Sequence, residues 1–198
     1  MTPTRYYNLR AANGYTDYDR QVSIIKNYGN IIDSKYSISQ PTIESQLRNL
    51  GISNVDRRYL VEEIDGTTVT GLRIDKAMNN NLGRNFKTFD NFDETTGIAT
   101  SVKSVNLNGN SYQDGYKDPN YLRNKLNGYV NETLDFDIYE LNRKFLESSM
   151  INQRVLHLVF DNQPLTQNQY RNLMQSLDYA GLNGVEIKTT INMGIGGK

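Results

Sequence analysis

Cysteine is absent from this chain of 198 residues, and histidine occurs once, as His157. Without cysteine the protein can form no disulfides and no thiolate zinc sites, and it has no cysteine nucleophile. A single histidine also excludes mechanisms that need two catalytic histidines. Because His157 stands in the apolar run Val155–Phe160, we expect it to be a hydrogen-bonded histidine in a central strand.

An excess of charge and long apolar runs are missing as well. The 22 basic residues balance 22 acidic ones, so a surface that binds nucleic acid, which is normally basic, would have to be local. The sequence contains no run of about eighteen apolar residues, which is the length needed to span a bilayer. Residues Met1–Arg10 also lack the apolar core of a signal peptide. We expect no integral membrane segment, and either a cytoplasmic protein or a piece of a larger exported one.

A turn-rich stretch divides the chain. Residues Asp65–Gly71 read DGTTVTG, a composition typical of a connection between elements. A length of 198 residues suits one domain with a smaller appendage. We therefore predict a helical N-terminal segment over residues 1–66, a main domain over residues 67–192 and a tail over residues 193–198.

The N-terminal segment is predicted to be helical throughout its patterned part. Apolar spacing, cap residues and an opening proline indicate helices over Asp17–Ser34, Pro41–Leu50 and Asn54–Ile64. The last two meet at Gly51, so Ile43–Ile64 resembles a helix-turn-helix in outline. That interpretation would make the segment a DNA-reading element. The simpler alternative is a small helical layer packed against the main domain.

From Ile74 onward the pattern alternates between helices and strands. The first predicted elements are a short helix Ile74–Asn80, a hairpin of two strands, and a loop or short strand near Ser111-Tyr112. A long helix follows, which Asp118-Pro119 opens and whose apolar stripe reaches Phe145. The last three are a buried strand Val155–Phe160, a helix opened by the capping box Thr166–Gln169, and a strand Val185–Ile191. A helix between a hairpin and an apolar strand favours a mixed sheet flanked by helices. The predicted fold class is therefore α/β. Its sheet is expected to be mixed, with parallel and antiparallel strands as in α+β proteins, and to be flanked by helices.

The hairpin is the feature around which the rest of the main domain is organised. Its two β-prone runs, Phe86–Asp93 and Ile98–Val105, are joined by Glu94-Thr95-Thr96-Gly97, whose threonines and glycine favour a turn. A loop with an even number of residues pairs Asp93 with Ile98, and this pairing fixes the register of the whole hairpin. A β-bulge would break that register.

The same register brings three polar side chains together. It pairs Asp90 with Ser101, and Lys103 points the same way as Ser101 because side chains alternate along a strand, whereas Asp93 points the other way. A carboxylate beside a lysine suits metal-assisted phosphodiester hydrolysis. The carboxylate would hold a hard divalent cation, and the lysine would activate water or offset charge on the phosphate. The simpler alternative is a solvated Lys–Asp pair that contributes little to stability.

A resemblance to a known family supports the first interpretation. The runs that carry it are Phe86-Lys87-Thr88-Phe89-Asp90, Thr96-Gly97 and Ala99-Thr100-Ser101-Val102-Lys103. They resemble the nuclease signature of C-terminal toxin domains from contact-dependent growth inhibition (CDI) systems, in the PD-(D/E)XK-like tRNase group. The resemblance implies a restriction-endonuclease-like core, a divalent metal cofactor (Mg²⁺, Mn²⁺ or Zn²⁺) and cleavage of tRNA.

The resemblance also implies roles for individual residues. Asp90 and an acid on the preceding helix would ligate the metal, and Asp75 is the best match for that acid. Two further acids compete for the same role, Glu62 and Glu63. Lys103 would activate water or stabilise the transition state. Ser101 would hold the metal's water shell or orient Lys103.

Partners and location follow from the same resemblance. It implies a larger surface toxin that acts in the cytoplasm of a target cell, an entry role for residues 1–66, and a cognate immunity protein. The basic residues expected to bind nucleic acid are Arg84, Lys87, Lys117, Arg123 and Lys125. Three alternatives remain open: a DNase of the same fold, a non-catalytic nucleic-acid-binding module using Ile43–Ile64, and an interaction domain, which the balanced charge favours.

Overall fold

The computed structural model describes residues 42–58, 74, 77, 78 and 80–192 of the chain. In chain order the elements of this part are α1 (Ile43–Asn49), β1 (Val55–Arg58), β2 (Asn91–Asp93), β3 (Ile98–Val105), α2 (Tyr121–Leu134), β4 (Ile138–Leu141), β5 (Lys144–Glu147), β6 (Gln153–Asp161), α3 (Gln167–Leu182) and β7 (Val185–Asn192). Single 3₁₀ turns occupy Asn110–Tyr112 and Ser148–Met150. The predicted helix Asp17–Ser34 and the predicted tail 193–198 lie outside the described residues.

Five strands form one mixed sheet in the order β1-β7-β6-β3-β2. The first four run parallel to their neighbours, and β2 is antiparallel to β3. Strands β4 and β5 pair separately as a two-stranded hairpin. The predicted mixed sheet flanked by helices is therefore confirmed. No helix in the described part of the chain is both long and apolar enough to cross a bilayer.

The main core lies between the sheet and the helices. Its buried members include Leu156, Leu158 and Phe160 of β6, which alternate along the strand and so share one face. All three helices contribute to this core, with residues such as Leu47 in α1, Leu126 in α2 and Leu173 in α3. On the opposite face, Ile74 packs against Val102 and Val159. Both faces of β6 are thus covered, which explains its continuous apolar sequence.

A second apolar cluster lies under the hairpin that β2 and β3 form. Phe89 is fully buried in it, and its ring meets the ring of Phe136 edge to face with centroids 5.1 Å apart. Ala99 of β3 belongs to this second cluster, whereas Val105 of the same strand belongs to the main core. The intervening residues on that face are polar. They occupy a gap between two apolar clusters.

The helix predicted over Asn54–Ile64 is wrong where the structure describes it. Residues Val55–Arg58 form an edge strand that runs parallel to β7, with Val55 opposite Thr189 and Arg58 opposite Asn192. The helix-turn-helix interpretation of Ile43–Ile64 is therefore wrong as well. A partner strand far along the chain satisfies this backbone, and such a partner outweighs local helix propensity. The predicted division at residue 66 stays a prediction, although α1 and β1 share the core of the main domain.

The long helix predicted from Asp118 to Phe145 is also too long. Helix α2 ends at Leu134, and the remaining residues of the predicted stripe, Ile138, Leu141 and Phe145, lie in the hairpin β4–β5. Asn142 and Arg143 adopt positive φ angles of 51° and 65° at the turn, which reverses the chain direction. Apolar spacings of three and four residues continued across this turn by coincidence. Near Ser111-Tyr112 the structure has a 3₁₀ turn, not a strand.

Several elements were predicted correctly from local signals. Thr166 and Gln169 form the reciprocal capping box at the start of α3. Helix α1 stops before Gly51, whose φ of 87° needs a residue without a Cβ atom. Strands β3, β6 and β7 lie within one or two residues of their predicted bounds. The described residues of the predicted short helix Ile74–Asn80 include one helical hydrogen bond, from the Met78 N–H to the Ile74 carbonyl at 2.8 Å.

Candidate active site

The turn of the hairpin is held by Asp93 and Gly97. The Asp93 carboxylate accepts hydrogen bonds from the Thr95 N–H at 2.9 Å and the Thr96 hydroxyl at 2.8 Å. These bonds, led by the one from Thr96, keep the pKa of Asp93 below its ordinary value. Gly97 has a φ of 71° and donates its N–H to the Asp93 carbonyl at 2.8 Å. The predicted pairing of Asp93 with Ile98 is confirmed.

Asp90 lies one residue before β2 and departs from the predicted register. The last pair of the ladder is Asn91 with Thr100. The Asp90 N–H donates to the Thr100 carbonyl at 2.9 Å, and the Val102 N–H donates to Asp90 Oδ2 at 2.6 Å. The carboxylate therefore rests on the backbone of β3, between Ser101 and Lys103 in sequence. This local departure is what lets the short side chain of Asp90 reach the amide of Val102.

Ser101 is fully buried, and its hydroxyl donates to the carbonyl of Thr88 at 2.7 Å. Thr88 has a positive φ of 70°, which is uncommon for a residue other than glycine. The bond from Ser101, the burial of Phe89 and the bonds that join Asp90 to β3 together fix the segment Thr88–Asp90 on this strand. Ser101 therefore helps to position the candidate metal ligand.

Lys103 lies on the same face of β3 as Ser101, and its side chain is 25% exposed. Its Nζ is 3.3 Å from Oε2 of Glu132 and 5.1 Å from the ring centroid of Tyr129. Both partners belong to α2, which packs against this side of the sheet. The structure thus joins Lys103 to an acid and an aromatic ring that the sequence analysis did not assign to the site.

The second metal ligand was predicted among three acids that precede the hairpin. Asp75, Glu62 and Glu63 lie outside the described residues, so the identity of the second metal ligand stays a prediction. Among the residues that the structure describes, no three acids or histidines are close enough together to hold a metal ion. A metal at Asp90 would therefore need a ligand from elsewhere in the chain, from the substrate or from water.

The five basic residues predicted to bind nucleic acid have different surroundings. Lys125 is exposed, and its Nζ is 4.9 Å from the centroid of the Tyr129 ring that Lys103 also contacts. Lys117 is exposed next to Tyr116. Arg84 and Lys87 are exposed in the loop before Asp90. Arg123 instead donates through Nη1 to Gln175 of α3 at 3.3 Å, which makes it a helix-to-helix contact.

The single histidine plays a structural part, as predicted. His157 lies in β6, between β7 and β3, with Nε2 2.8 Å from the Thr190 hydroxyl. Burial lowers the pKa of His157 to about 4, and the nearby Asp56 opposes this shift only in part. The imidazole is therefore neutral at physiological pH.

Comparison with known proteins identifies the family. A family model described as the CDI toxin restriction endonuclease-like domain matches residues 70–190, which is more than half of the chain. The chain belongs to this family. The match begins before the hairpin and ends in β7, so it includes Asp90, Ser101 and Lys103.

Two relatives extend the comparison. The deoxyribonuclease CdiA-o11 of Escherichia coli O157:H7 (strain EC869) is 30% identical over 109 residues, which are 55% of this chain and 28% of that protein. The chain thus spans less than a third of this relative. The toxin and immunity complex CdiA-CT/CdiI from Yersinia pseudotuberculosis matches in structure with a TM-score of 0.51 and 24% identity, covering 59% of this chain and 96% of the matched chain. That likeness supports the restriction-endonuclease-like fold.

Glu132 and Tyr129 are the site residues that sequence reasoning missed. Both lie on α2 beside its apolar stripe, where a charged or amphipathic residue is ordinary. Only the packing of α2 against β3 shows that they meet Lys103. The spacing of Lys125, Tyr129 and Glu132, at four and three residues, is the one signal that could have placed them on a common helix face.

Proposed function

We propose that this domain is a toxin endonuclease that hydrolyses phosphodiester bonds with the help of a divalent metal, and that DNA is its substrate. The observation that carries the proposal is the fixed carboxylate of Asp90, which rests on the same strand that presents Lys103 at a partly exposed position. Membership of a restriction endonuclease-like toxin family supports this chemistry. DNA is favoured because a relative that is 30% identical is named a deoxyribonuclease.

One described residue, Asp90, offers a ligand suited to a hard divalent cation. Asp90 supplies a carboxylate, which is a ligand that Mg²⁺ and Mn²⁺ prefer and Zn²⁺ accepts. Its hydrogen bonds to the backbone orient the carboxylate before any metal arrives. Asp75 remains our proposed second ligand, ahead of Glu62 and Glu63. When bound, the cation would supply Lewis-acid stabilisation of the negative charge on the phosphate.

Lys103 and Ser101 have separate proposed roles. The Lys103 ammonium would bind the phosphate to be cleaved and offset the charge that develops in the transition state. The pair with Glu132 and the contact with Tyr129 hold this ammonium near the surface when no substrate is present. Ser101 is a positioning residue, because its hydroxyl holds the carbonyl of Thr88 and so the segment that ends at Asp90.

Transfer RNA is the second candidate substrate. The runs around Asp90 and Lys103 resemble the signature of the tRNase group, and a carboxylate with a lysine can attack either nucleic acid. A local basic surface would serve both substrates. Only a direct cleavage assay distinguishes the two candidate substrates.

We further propose that a cognate immunity protein binds this domain and that the domain acts in the cytoplasm of a target cell. A structural neighbour is described as a toxin and immunity complex, which supports the existence of such a partner. Net charge is zero, so attraction to the partner would come from a local charged surface or from apolar contacts.

The experiment is incubation of the purified chain with plasmid DNA and with total tRNA, each with Mg²⁺, Mn²⁺, Zn²⁺ or EDTA. The proposal predicts cleavage of the plasmid in at least one metal and none in EDTA. Cleavage of tRNA alone would move the substrate to the second candidate. Intact plasmid and intact tRNA in all metals, at high concentrations of folded protein, would contradict the proposal.

A further inference from the structure

One face of α2 carries an alternating row of aromatic and charged residues. Tyr121, Lys125, Tyr129 and Glu132 follow at spacings of four, four and three, so with 3.6 residues per turn they lie within an arc of about 80°. This face adjoins the one that buries Leu126 in the main core. The row is accessible, because Lys125 and Glu132 are exposed and both tyrosines are only partly buried.

Tyr129 links this row to the candidate active site. Its ring centroid is 4.9 Å from Nζ of Lys125 and 5.1 Å from Nζ of Lys103. The two ammonium groups can therefore be no further apart than the sum of these distances, which is 10.0 Å. Tyr129 thus brings two ammonium groups close together, one carried by the sheet and the other by the helix.

The N-terminal end of α2 continues the row. The Tyr121 ring lies 5.5 Å from that of Tyr112 and 5.4 Å from that of Tyr116, measured between centroids. Nζ of Lys117 lies 6.0 Å from the Tyr116 ring. Aromatic rings interleaved with lysines are typical of surfaces that follow a nucleic acid backbone.

We infer that Lys125, Tyr129 and Lys103 bind two successive phosphates of one nucleic acid strand. This inference rests on the proposed function. Lys103 contacts the phosphate to be cleaved, and Lys125 contacts the neighbouring phosphate. Tyr129 keeps the two ammonium groups in place through its ring, and its hydroxyl is not needed. The partner is the phosphodiester backbone itself, whether the strand is DNA or RNA.

Without substrate, the carboxylate of Glu132 takes the place beside Lys103 that a phosphate would occupy. Its carboxylate lies 3.3 Å from Nζ of Lys103 and is 52% exposed, so water screens the pair and a phosphate can replace the carboxylate. Because the net charge of the chain is zero, binding must depend on a small number of such local contacts. Loss of one lysine should therefore have a measurable effect.

The test measures binding of labelled single-stranded DNA and RNA oligonucleotides to the full chain in EDTA, where cleavage does not interfere. Lys125→Ala should weaken binding roughly threefold to tenfold. It should also reduce the slope of log affinity against log salt by about 0.7, which is the value for one phosphate contact on a single strand. Lys125→Arg and Tyr129→Phe should retain binding, because charge and ring are kept. Lys144→Ala, an exposed lysine in β5, is the matched control and should change nothing.

A neutral methylphosphonate, moved one position at a time along the oligonucleotide, locates the contact. At one position it should weaken binding to the wild-type chain but not to Lys125→Ala, because the charge pair is already lost. The inference would be overturned if Lys125→Ala kept the affinity and salt slope of the wild-type chain. It would also be overturned if every methylphosphonate position weakened both chains equally. In either case, cleavage by the wild-type chain would still uphold the proposed function. A wild-type chain that neither binds nor cleaves nucleic acid would instead overturn the proposed function.

Discussion

Substitution of Gly97 by alanine tests how the turn sets up the candidate site. A Cβ atom at Gly97 would contact the side-chain amide of Asn152, with Cγ at 2.8 Å, and the backbone there has a φ of 71°. The same amide donates to the Thr96 carbonyl at 3.1 Å and would have to move away. The positive φ costs about 1 kcal/mol for alanine, and loss of the hydrogen bond adds about 1 kcal/mol. We expect Gly97→Ala to lower the free energy of unfolding by about 2 kcal/mol.

Urea unfolding of four chains checks this value: wild type, Gly97→Ala, Asn152→Ala and the double variant. In the Asn152→Ala background the amide is gone and only the Cβ atom of residue 152 stays near, at 3.1 Å, so Gly97→Ala should cost mainly the backbone term of about 1 kcal/mol. Equal costs of Gly97→Ala in the two backgrounds would show that Asn152 does not constrain the turn. A cost below about 0.5 kcal/mol in the wild-type background would refute the backbone argument too.

Three further predictions concern buried or paired groups near the sheet. Ser101→Ala leaves the Thr88 carbonyl without its buried donor, so stability should fall by about 1–3 kcal/mol in urea unfolding; cleavage by the folded variant should fall too, and unchanged stability would contradict the role of the hydroxyl. Because burial lowers the pKa of His157 to about 4, the unfolded chain takes up a proton below about pH 6.5 that the folded chain rejects. The free energy of unfolding should therefore be highest above that pH and fall by on the order of 3 kcal/mol as the pH drops to 4. Thermal melts at several pH values measure this fall, and it should be smaller in His157→Gln. Glu132→Gln should tighten binding of an oligonucleotide in EDTA about twofold to threefold, because a negative charge beside the phosphate site is removed; weaker binding would show that Glu132 is needed to hold Lys103.

Local signals in the sequence predicted those elements whose determinants lie within a few residues. The capping box of Thr166 and Gln169 involves residues three apart, and the turn between β2 and β3 is closed by bonds among Asp93, Thr95, Thr96 and Gly97. Such contacts join residues that are close together in the sequence. For the same reason the turn and the register near Asp93 were predictable, whereas the run Phe86–Asp93, predicted as a strand, is a strand only over Asn91–Asp93.

Elements that depend on distant partners were not predictable in this way. Val55–Arg58 is a strand because β7 supplies its hydrogen bonds from the other end of the chain. The apolar residues Ile138 and Phe145 matched a helical period but lie in a hairpin, where both are about half exposed. The pairing of Lys103 with Glu132 depends on how α2 packs against the sheet. Sequence patterns record the composition of each element but not which faces meet.

Cleavage by single variants at the hairpin tests the central claim most directly. We would measure plasmid cleavage, in the metal that best supports the wild-type chain, for Asp90→Asn, Lys103→Ala and Asp93→Asn, each checked for folding by circular dichroism. The account predicts a loss of at least about 100-fold for Asp90→Asn and Lys103→Ala and near wild-type cleavage for Asp93→Asn, whose side chain is exposed in the turn. Near wild-type cleavage by folded Asp90→Asn or Lys103→Ala would contradict the account, and so would loss of cleavage confined to Asp93→Asn.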